Sequence, residues 1–334
     1  MSLKIFYAVQ ATGNGHIARA TELLPYLSKC GEVDVFLSGG NSSLPVDLPV
    51  KYRSKGMSLF YTKTGNLDYK KMWQELSLKR IHKEAKELPV EKYDIILNDF
   101  ESITSIACRL KKVGSTGFGH QASFQSMKTP RPKRKNIAGE LILSKYATAT
   151  NYVGLHFDRY DNFIFSPVLK KEILEASPKQ KDHITVYVPH YSDDIIEKYL
   201  QSIKEIQFHI FSKSVKTEIK KDNIHLIPVS NTLFNESLIN CTGIITGGGF
   251  ETPAEALYLG KKLMCIPIRG QYEQICNAAA VEKFNVPIIN KINTDFDKEV
   301  MQWLEAPSPQ KLTLYNSTED IVAIAIEKAL AARR

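Results

Sequence analysis

Three segments of the chain combine glycines with polar side chains at spacings that suit chemistry on an anionic ligand. The first is Ala11-Thr-Gly13-Asn14-Gly15-His16-Ile-Ala-Arg19-Ala20, directly after an apolar run at the N-terminus. Gly13 and Gly15 permit a tight turn and close backbone approach. The helix that follows presents free N–H groups to an anion. His16 stands at the carboxyl end of a parallel strand, where such folds bind ligands. An imidazole there can take a proton from a hydroxyl near neutral pH, or it can simply cap the helix. Gly13-x-Gly15-x-x-Ala18 also fits a dinucleotide fingerprint. The second strand ends Phe36-Leu37-Ser38-Gly39, without the acid that would hold a ribose, and this speaks against NAD.

The second segment is Ile244-Ile-Thr-Gly247-Gly248-Gly249-Phe-Glu-Thr252-Pro253-Ala-Glu255. A strand ends at a triple glycine, and a helix is expected to start with Thr252 as cap and Pro253 in its first position. Backbone N–H groups and the helix dipole make this an anion site. No Lys-Ser/Thr pair follows, so it is not a Walker loop. Glu255, one turn in, either holds a ribose diol or is a solvated helix acid. The third segment, Pro267 to Ala278, gathers Gln271, Glu273, Gln274 and Asn277 at one strand–helix junction, a set suited to sugar hydroxyls. Two further candidates end strands in the first half. His120 is a second possible base, and Asp99 or Glu101 could orient a histidine or bind an acceptor. Asp295-x-Asp297 resembles a metal-binding pair but reads better as the capped start of a helix over Phe296–Leu304, and no metal is expected.

These segments need elements to position them. Short apolar strands at Leu3–Val9, Val33–Leu37 and Tyr93–Leu97 alternate with helical patterns at Ile17–Ser28 and Ile103–Lys111. Ser38 to Leu67 reads as loops with short strands. A second series starts at Ile184–Val188 and continues through Phe208–Phe211, Ile224–Ile227, Gly243–Thr246, Lys262–Ile266 and Val286–Ile289. Helices over Asp194–Lys204 and Pro253–Tyr258 lie between these strands. Such alternation predicts two doubly wound, Rossmann-like parallel-sheet domains facing across a cleft. The expected division is 1–166, 167–318 and a last helix within 319–334 that packs back toward the first domain.

The composition bounds the partners. The 334 residues are 43% hydrophobic and 24% charged, which excludes a disordered chain or a disulfide-stapled miniprotein. Five cysteines without CxxC spacing read as free thiols in a reducing, cytoplasmic setting. No apolar run reaches the length of a membrane span. The net charge of +8 is unevenly placed: residues 1–165 carry 24 Lys+Arg and 15 Asp+Glu, and the remainder is nearly balanced. A basic half suits an anionic partner, but no zinc-finger, RRM or basic-zipper pattern points to nucleic acid. Lys128-Thr-Pro-Arg-Pro-Lys-Arg-Lys135 followed by an amphipathic helix over Asn136–Tyr146 is either a solvated surface loop or a contact for an anionic membrane.

Gly248-Gly249-x-x-Thr252-x-x-Glu255-Ala256-x-x-x-Gly260, then Pro267, then Gln274-x-x-Asn277-Ala278, resembles the donor-site signature of GT-B glycosyltransferases of families 1 and 28. That group includes the N-acetylglucosaminyltransferase of peptidoglycan lipid intermediates. Gly13-x-Gly15-His16 is similar to the group's first glycine loop, with Asn14 where the peptidoglycan enzyme has glycine. The resemblance implies a nucleotide-diphosphosugar, UDP-linked, on the second domain. Its diphosphate would meet Gly248, Gly249, Thr252 and the loop at His190, its ribose Glu255, and its sugar Gln271, Glu273 or Gln274. Gly15 and Asn277 complete the implied donor set. The acceptor, lipid-linked or a glycan of the cell envelope, would bind the basic domain near Asn14, Asp99, Glu101 or His120, and His16 would be the base. Inverting transfer with no metal and no cofactor follows. Nucleotide-sugar hydrolases share Gly13-x-Gly15-His16-x-x-Arg19, epimerases share the fold, and a non-catalytic sugar-nucleotide sensor is the binding-module alternative.

Overall fold

A computed structural model describes residues 2–11, 13–39, 48–56, 77–179 and 181–333. The expectation for Ser38–Leu67 therefore falls largely outside the described residues. Among its described residues lies strand β3 (Val50–Ser54).

The first sheet is built from β1 (Leu3–Gln10), β2 (Gly31–Ser38), β3, β4 (Ile95–Asp99), β5 (Thr116–Gly119), β6 (Asn151–Leu155) and β7 (Ile164–Phe165), in the order β3-β2-β1-β4-β5-β6-β7. Every pairing in it is parallel. Alternate residues of β1 feed two cores. Ile5, Tyr7 and Val9 face one layer, and Phe6 and Ala8 face the other. A strand covered on both faces is what a near-continuous apolar run specifies. Helix α1 (Asn14–Cys30) buries Ile17, Ala20, Leu23 and Leu27 against this sheet, a stripe at helical spacing.

The second sheet has the order β10-β11-β9-β8-β12-β13, with β8 (His183–Tyr187), β9 (Gln207–Ser212), β11 (Ile224–Pro228), β12 (Gly243–Thr246) and β13 (Lys262–Cys265) all parallel. Only the short edge strand β10 (Ile219–Lys221) runs antiparallel. The strand expected over Val286–Ile289 is not formed; a single bridge from Ile288 to Cys265 stands in its place. Pro287 cannot donate to a ladder, which limits pairing there.

Both sheets reverse their winding beside their first strand. β1 lies between β2 and β4, and β8 lies between β9 and β12. Such switch points open a crevice at the carboxyl ends of the strands. The loops leaving β1 and β4 therefore converge, as do the loops leaving β8 and β12. One apolar cluster spans the two halves, joining Phe157, Val168 and Leu169 of the first half and its linker to Phe250, Ala254 and Leu257. The last helix, Thr318–Ala332, opens with a capping box between Ser317 and Asp320. It lies against the first sheet, where Lys328 accepts a hydrogen bond from Asn151 at 2.9 Å.

Candidate functional site

A cleft of about 570 Å3 lies between the two crevices. Gly13, Asn14, Gly15, His16 and Arg19 line it from the β1–α1 turn, with Phe100 and Gln121 beside them. Across from them stand His190 after β8 and Gly247, Gly249, Phe250, Glu251 and Thr252 after β12. Gln271, Glu273 and Gln274 close the same wall.

The register of β1 and β4 sets Val9 opposite Asp99, so the residues just beyond them meet. His16 Nδ1 lies 3.0 Å from Asp99 Oδ1. Arg19, one turn later on α1, donates to Asp99 from Nε at 3.0 Å and from Nη2 at 2.8 Å. Arg19 and Asp99 are almost fully buried, whereas the His16 side chain keeps 13% exposure toward the cleft. Burial opposes a charge on Asp99, but Arg19 and then His16 outweigh it and hold the carboxyl down at about 2. Arg19 Nη2 also lies 3.1 Å from His16 Nδ1; with the proton of Nδ1 held by the ionised Asp99, the Nε2 lone pair is the one left facing the cleft. Gln121 Nε2 is 3.4 Å from that nitrogen and donates to Glu273 at 3.0 Å, linking the two walls. Arg19 also donates across the cleft to Glu251. Phe100, between Asp99 and Glu101, has φ of 55°, a left-handed conformation that an aromatic residue adopts only under constraint.

The opposite wall is a cradle of glycines at a helix N-terminus. Helix α8 spans Glu251–Tyr258 with Phe250 at its N-cap. Its cap lies two residues before the expected Thr252. Pro253 then falls in the first turn, where its missing N–H has no helical partner to lose. Gly249 opens onto free space, and no atom lies within 4 Å of an added Cβ. Gly248 is different: its N–H goes to Gln274 Oε1 at 3.2 Å, and a Cβ there would lie 2.8 Å from the Gln274 carbonyl. Gly248 thus serves packing against helix α9 (Tyr272–Val281) rather than lining the cleft. Gly248→Ala is expected to cost about 1–3 kcal/mol by overpacking, and Gly249→Ala close to nothing. Denaturant melts of the two variants check this, and equal midpoints would sink it.

His190 faces Gly247 and is 6% exposed. Burial pulls its pKa to about 4, against the opposing pull of the Ile266 carbonyl, so it is a neutral donor at pH 7. Gln274 braces the cradle, accepting also from the N–H of Ile268 at 3.0 Å. Glu273 is half-buried, and desolvation raises its pKa despite His16 and Gln121.

Three residues expected at the site are engaged elsewhere, and a fourth, His120, lines the cleft with both ring nitrogens already taken. Glu255 is 2% exposed and does not line the cleft; Lys170, from the linker after β7, pairs with it at 3.2 Å. Asn277 is buried, donating to the Gly248 carbonyl at 3.1 Å and lying 2.8 Å from His120 Nε2. His120 has its other nitrogen 3.0 Å from the Leu155 carbonyl, and its ring stacks on Phe250 at 3.9 Å. Burial lowers its pKa to about 3, and neither nitrogen offers a lone pair to the cleft. Glu101 caps helix α3 (Ser102–Lys111), accepting from Ile103 and Thr104 at 2.9 and 2.6 Å. Asn14 lines the cleft and reaches Tyr187 at 3.4 Å. Sequence reasoning did not single out Gln121 or Glu251. Their only local signal was position, one residue after His120 and one before Thr252. Asp295 precedes helix Phe296–Glu305, and among the described residues no three metal-ligating side chains gather.

A family model described as Glycosyl transferase family 1 matches residues 3–306. No curated protein sequence matches significantly. Among solved structures, UDP-N-acetylglucosamine 2-epimerase from Rickettsia bellii is 13% identical, with 99% of this chain and 98% of the epimerase covered and a TM-score of 0.63. Arabidopsis thaliana UGT89C1, solved with UDP, is 14% identical over 100% and 96% of the chains at 0.61. Glycosyltransferase SnogD from Streptomyces nogalater is 12% identical over 100% and 96% at 0.54. At these identities the likeness is one of fold.

Proposed function

The chain belongs to glycosyl transferase family 1, and from that premise we propose that it moves a sugar, with inversion, from a UDP-linked donor to a hydroxyl acceptor. The observation that carries this reading is the pairing of His16 with Asp99 across the cleft from the α8 terminus. His16 Nε2 takes the proton of the acceptor hydroxyl. The hydroxyl oxygen then bonds to the anomeric carbon as the bond from that carbon to the diphosphate breaks on the opposite face, and the electron pair leaves with the phosphate. The transition state is oxocarbenium-like. Charge builds on the departing phosphate, where fixed N–H groups of the Gly249–Thr252 turn and the neutral His190 stabilise it. Arg19 neutralises Glu251, so the acid at the head of α8 does not cancel the cradle. Gln271 and Glu273 stand on the same wall to hold the sugar hydroxyls. In this scheme the helix terminus carries the leaving-group charge, and EDTA leaves transfer unchanged.

UDP binding supports a UDP-linked donor in UGT89C1. For this chain the test is a thermal-shift series with UDP, GDP, CMP, dTDP and NAD. UDP at 100 times its Kd is expected to stabilise by about 2.7 kcal/mol. No shift, or a shift with NAD alone, overturns the donor assignment. With the donor identified, release of free sugar without acceptor would mark a hydrolase, and an epimerised donor an epimerase. Tight binding without turnover would mark a sensor.

A further inference from the structure

The segment from Met127 to Lys145 carries six cations against the single carboxylate of Glu140. Arg131 takes up that carboxylate at 2.8 Å and donates to the Phe124 carbonyl at 3.0 Å, which pins the loop to the first domain. Lys128, Lys133, Arg134, Lys135 and Lys145 remain exposed. Beside them helix α4 (Ile137–Lys145) turns apolar side chains to solvent: Ile137 is 81% exposed, Leu141 56% and Ile142 53%. Met127, at the head of the loop, is 76% exposed. The opposite side of α4 is fully used. Leu143 is buried with Tyr272 and Cys276, and Gly139 meets the Tyr272 ring so closely that a Cβ would lie 2.3 Å from it. Tyr272 also donates to Glu140 at 2.6 Å.

We propose that the exposed face of α4 and the basic loop before it dock on a bilayer containing anionic lipid. An apolar stripe beside a cluster of cations matches the two layers of such a surface, acyl boundary below and charged headgroups above. An acidic protein partner with an apolar centre would also cover this face, and it is the occupant left standing if the vesicles fail. Among the described residues no helix is long and apolar enough to cross a membrane, so docking would be peripheral. The surface adjoins the cleft through Tyr272, whose neighbours Gln271 and Glu273 line the donor wall. A bilayer held there favours a lipid-borne hydroxyl acceptor; that extension rests on the transfer reading above, whereas docking itself does not.

The test is flotation of the intact protein with phosphatidylcholine vesicles and with vesicles carrying 30 mol% phosphatidylglycerol (roughly the charge density of an anionic leaflet). Two variants change only exposed side chains: Lys133→Glu/Arg134→Glu/Lys135→Glu and Ile137→Gln/Leu141→Gln/Ile142→Gln. The wild type is expected to float with the anionic vesicles and not with the neutral ones, and to be released by salt. Each cation near the surface contributes about fivefold in partitioning, so the charge variant should lose roughly 100-fold or more. The glutamine variant should also be released. UDP-induced thermal shift, read in parallel, should be unchanged in both variants. Absence of wild-type binding at low salt, equal binding to neutral vesicles, or retention by either variant overturns the proposal. None of these outcomes bears on the donor site, because neither donor nor acceptor is present.

Discussion

His16→Ala is expected to lower kcat for sugar transfer by about 100- to 10 000-fold, the range spanned by loss of a positioned general base. UDP-donor affinity should hardly change, because the proposed donor cradle lies on the other wall, which His16 meets only through the side chains of Gln121 and Arg19. The side chain is partly open to the cleft and not packed in a core, so folding should survive the substitution. The variant thus separates chemistry from binding. Initial rates with a defined acceptor, together with isothermal titration of UDP, give both quantities. A kcat within threefold of wild type would remove His16 from the proton transfer. Loss of UDP binding with retained kcat at saturation would make it a donor ligand. His120→Ala is the informative companion: His120 is fully buried between Leu155, Asn277 and Phe250, so its loss should appear as lowered stability rather than as a selective fall in kcat.

The sequence was most readable where burial alone decides the element. β12 falls on Gly243–Thr246 as expected, and β1 needs only Gln10 added to Leu3–Val9. Two facing parallel sheets and the position of His16 at a strand end follow from the same periodicity. What periodicity could not give is which polar side chains the tertiary fold consumes. Glu255 carries a donor-site spacing, yet Lys170, 85 positions earlier, claims its carboxylate. Glu101 and Asn277 look like site residues because they are polar at strand–helix junctions, and junctions are also where caps and orphan carbonyls must be satisfied. Asp99 had the reverse problem. Nothing local distinguishes it from Glu101, and only the neighbouring of β1 and β4 brings it to His16 and Arg19. The strand over Val286–Ile289 was misread because a proline inside an apolar run removes the ladder donor that periodicity assumes.

Asp99→Asn carries the second large effect, and it acts on stability and on turnover through the same oxygens. Arg19 is buried and makes its bonds to Asp99 with Nε and Nη2. Breaking a buried ion pair by removing one partner typically costs about 3–5 kcal/mol, because the surviving charge stays desolvated. Glu251 still faces Arg19 from the other wall, so the lower end, about 3 kcal/mol, is expected. Asparagine also presents an N–H where His16 Nδ1 and Arg19 need an acceptor. His16 then loses the partner that holds its proton on Nδ1, and kcat should fall alongside stability. The pH dependence has a definite sign. The folded pKa of Asp99, about 2, lies below the ordinary carboxyl value of 3.8. Its contribution to stability is therefore complete above pH 3.8 and is lost as pH falls toward 2. Denaturant midpoints of wild type and Asp99→Asn should thus differ by a constant amount at neutral pH and converge in acid. A neutral-pH difference under 0.5 kcal/mol, roughly the scatter of surface substitutions, would mean that Arg19 is compensated without Asp99. The double variant Arg19→Met/Asp99→Leu is the control for packing. If charge imbalance is the cause, it should be more stable than Asp99→Asn although both partners are gone, since it removes the buried cation and leaves only the more exposed Glu251 without its partner.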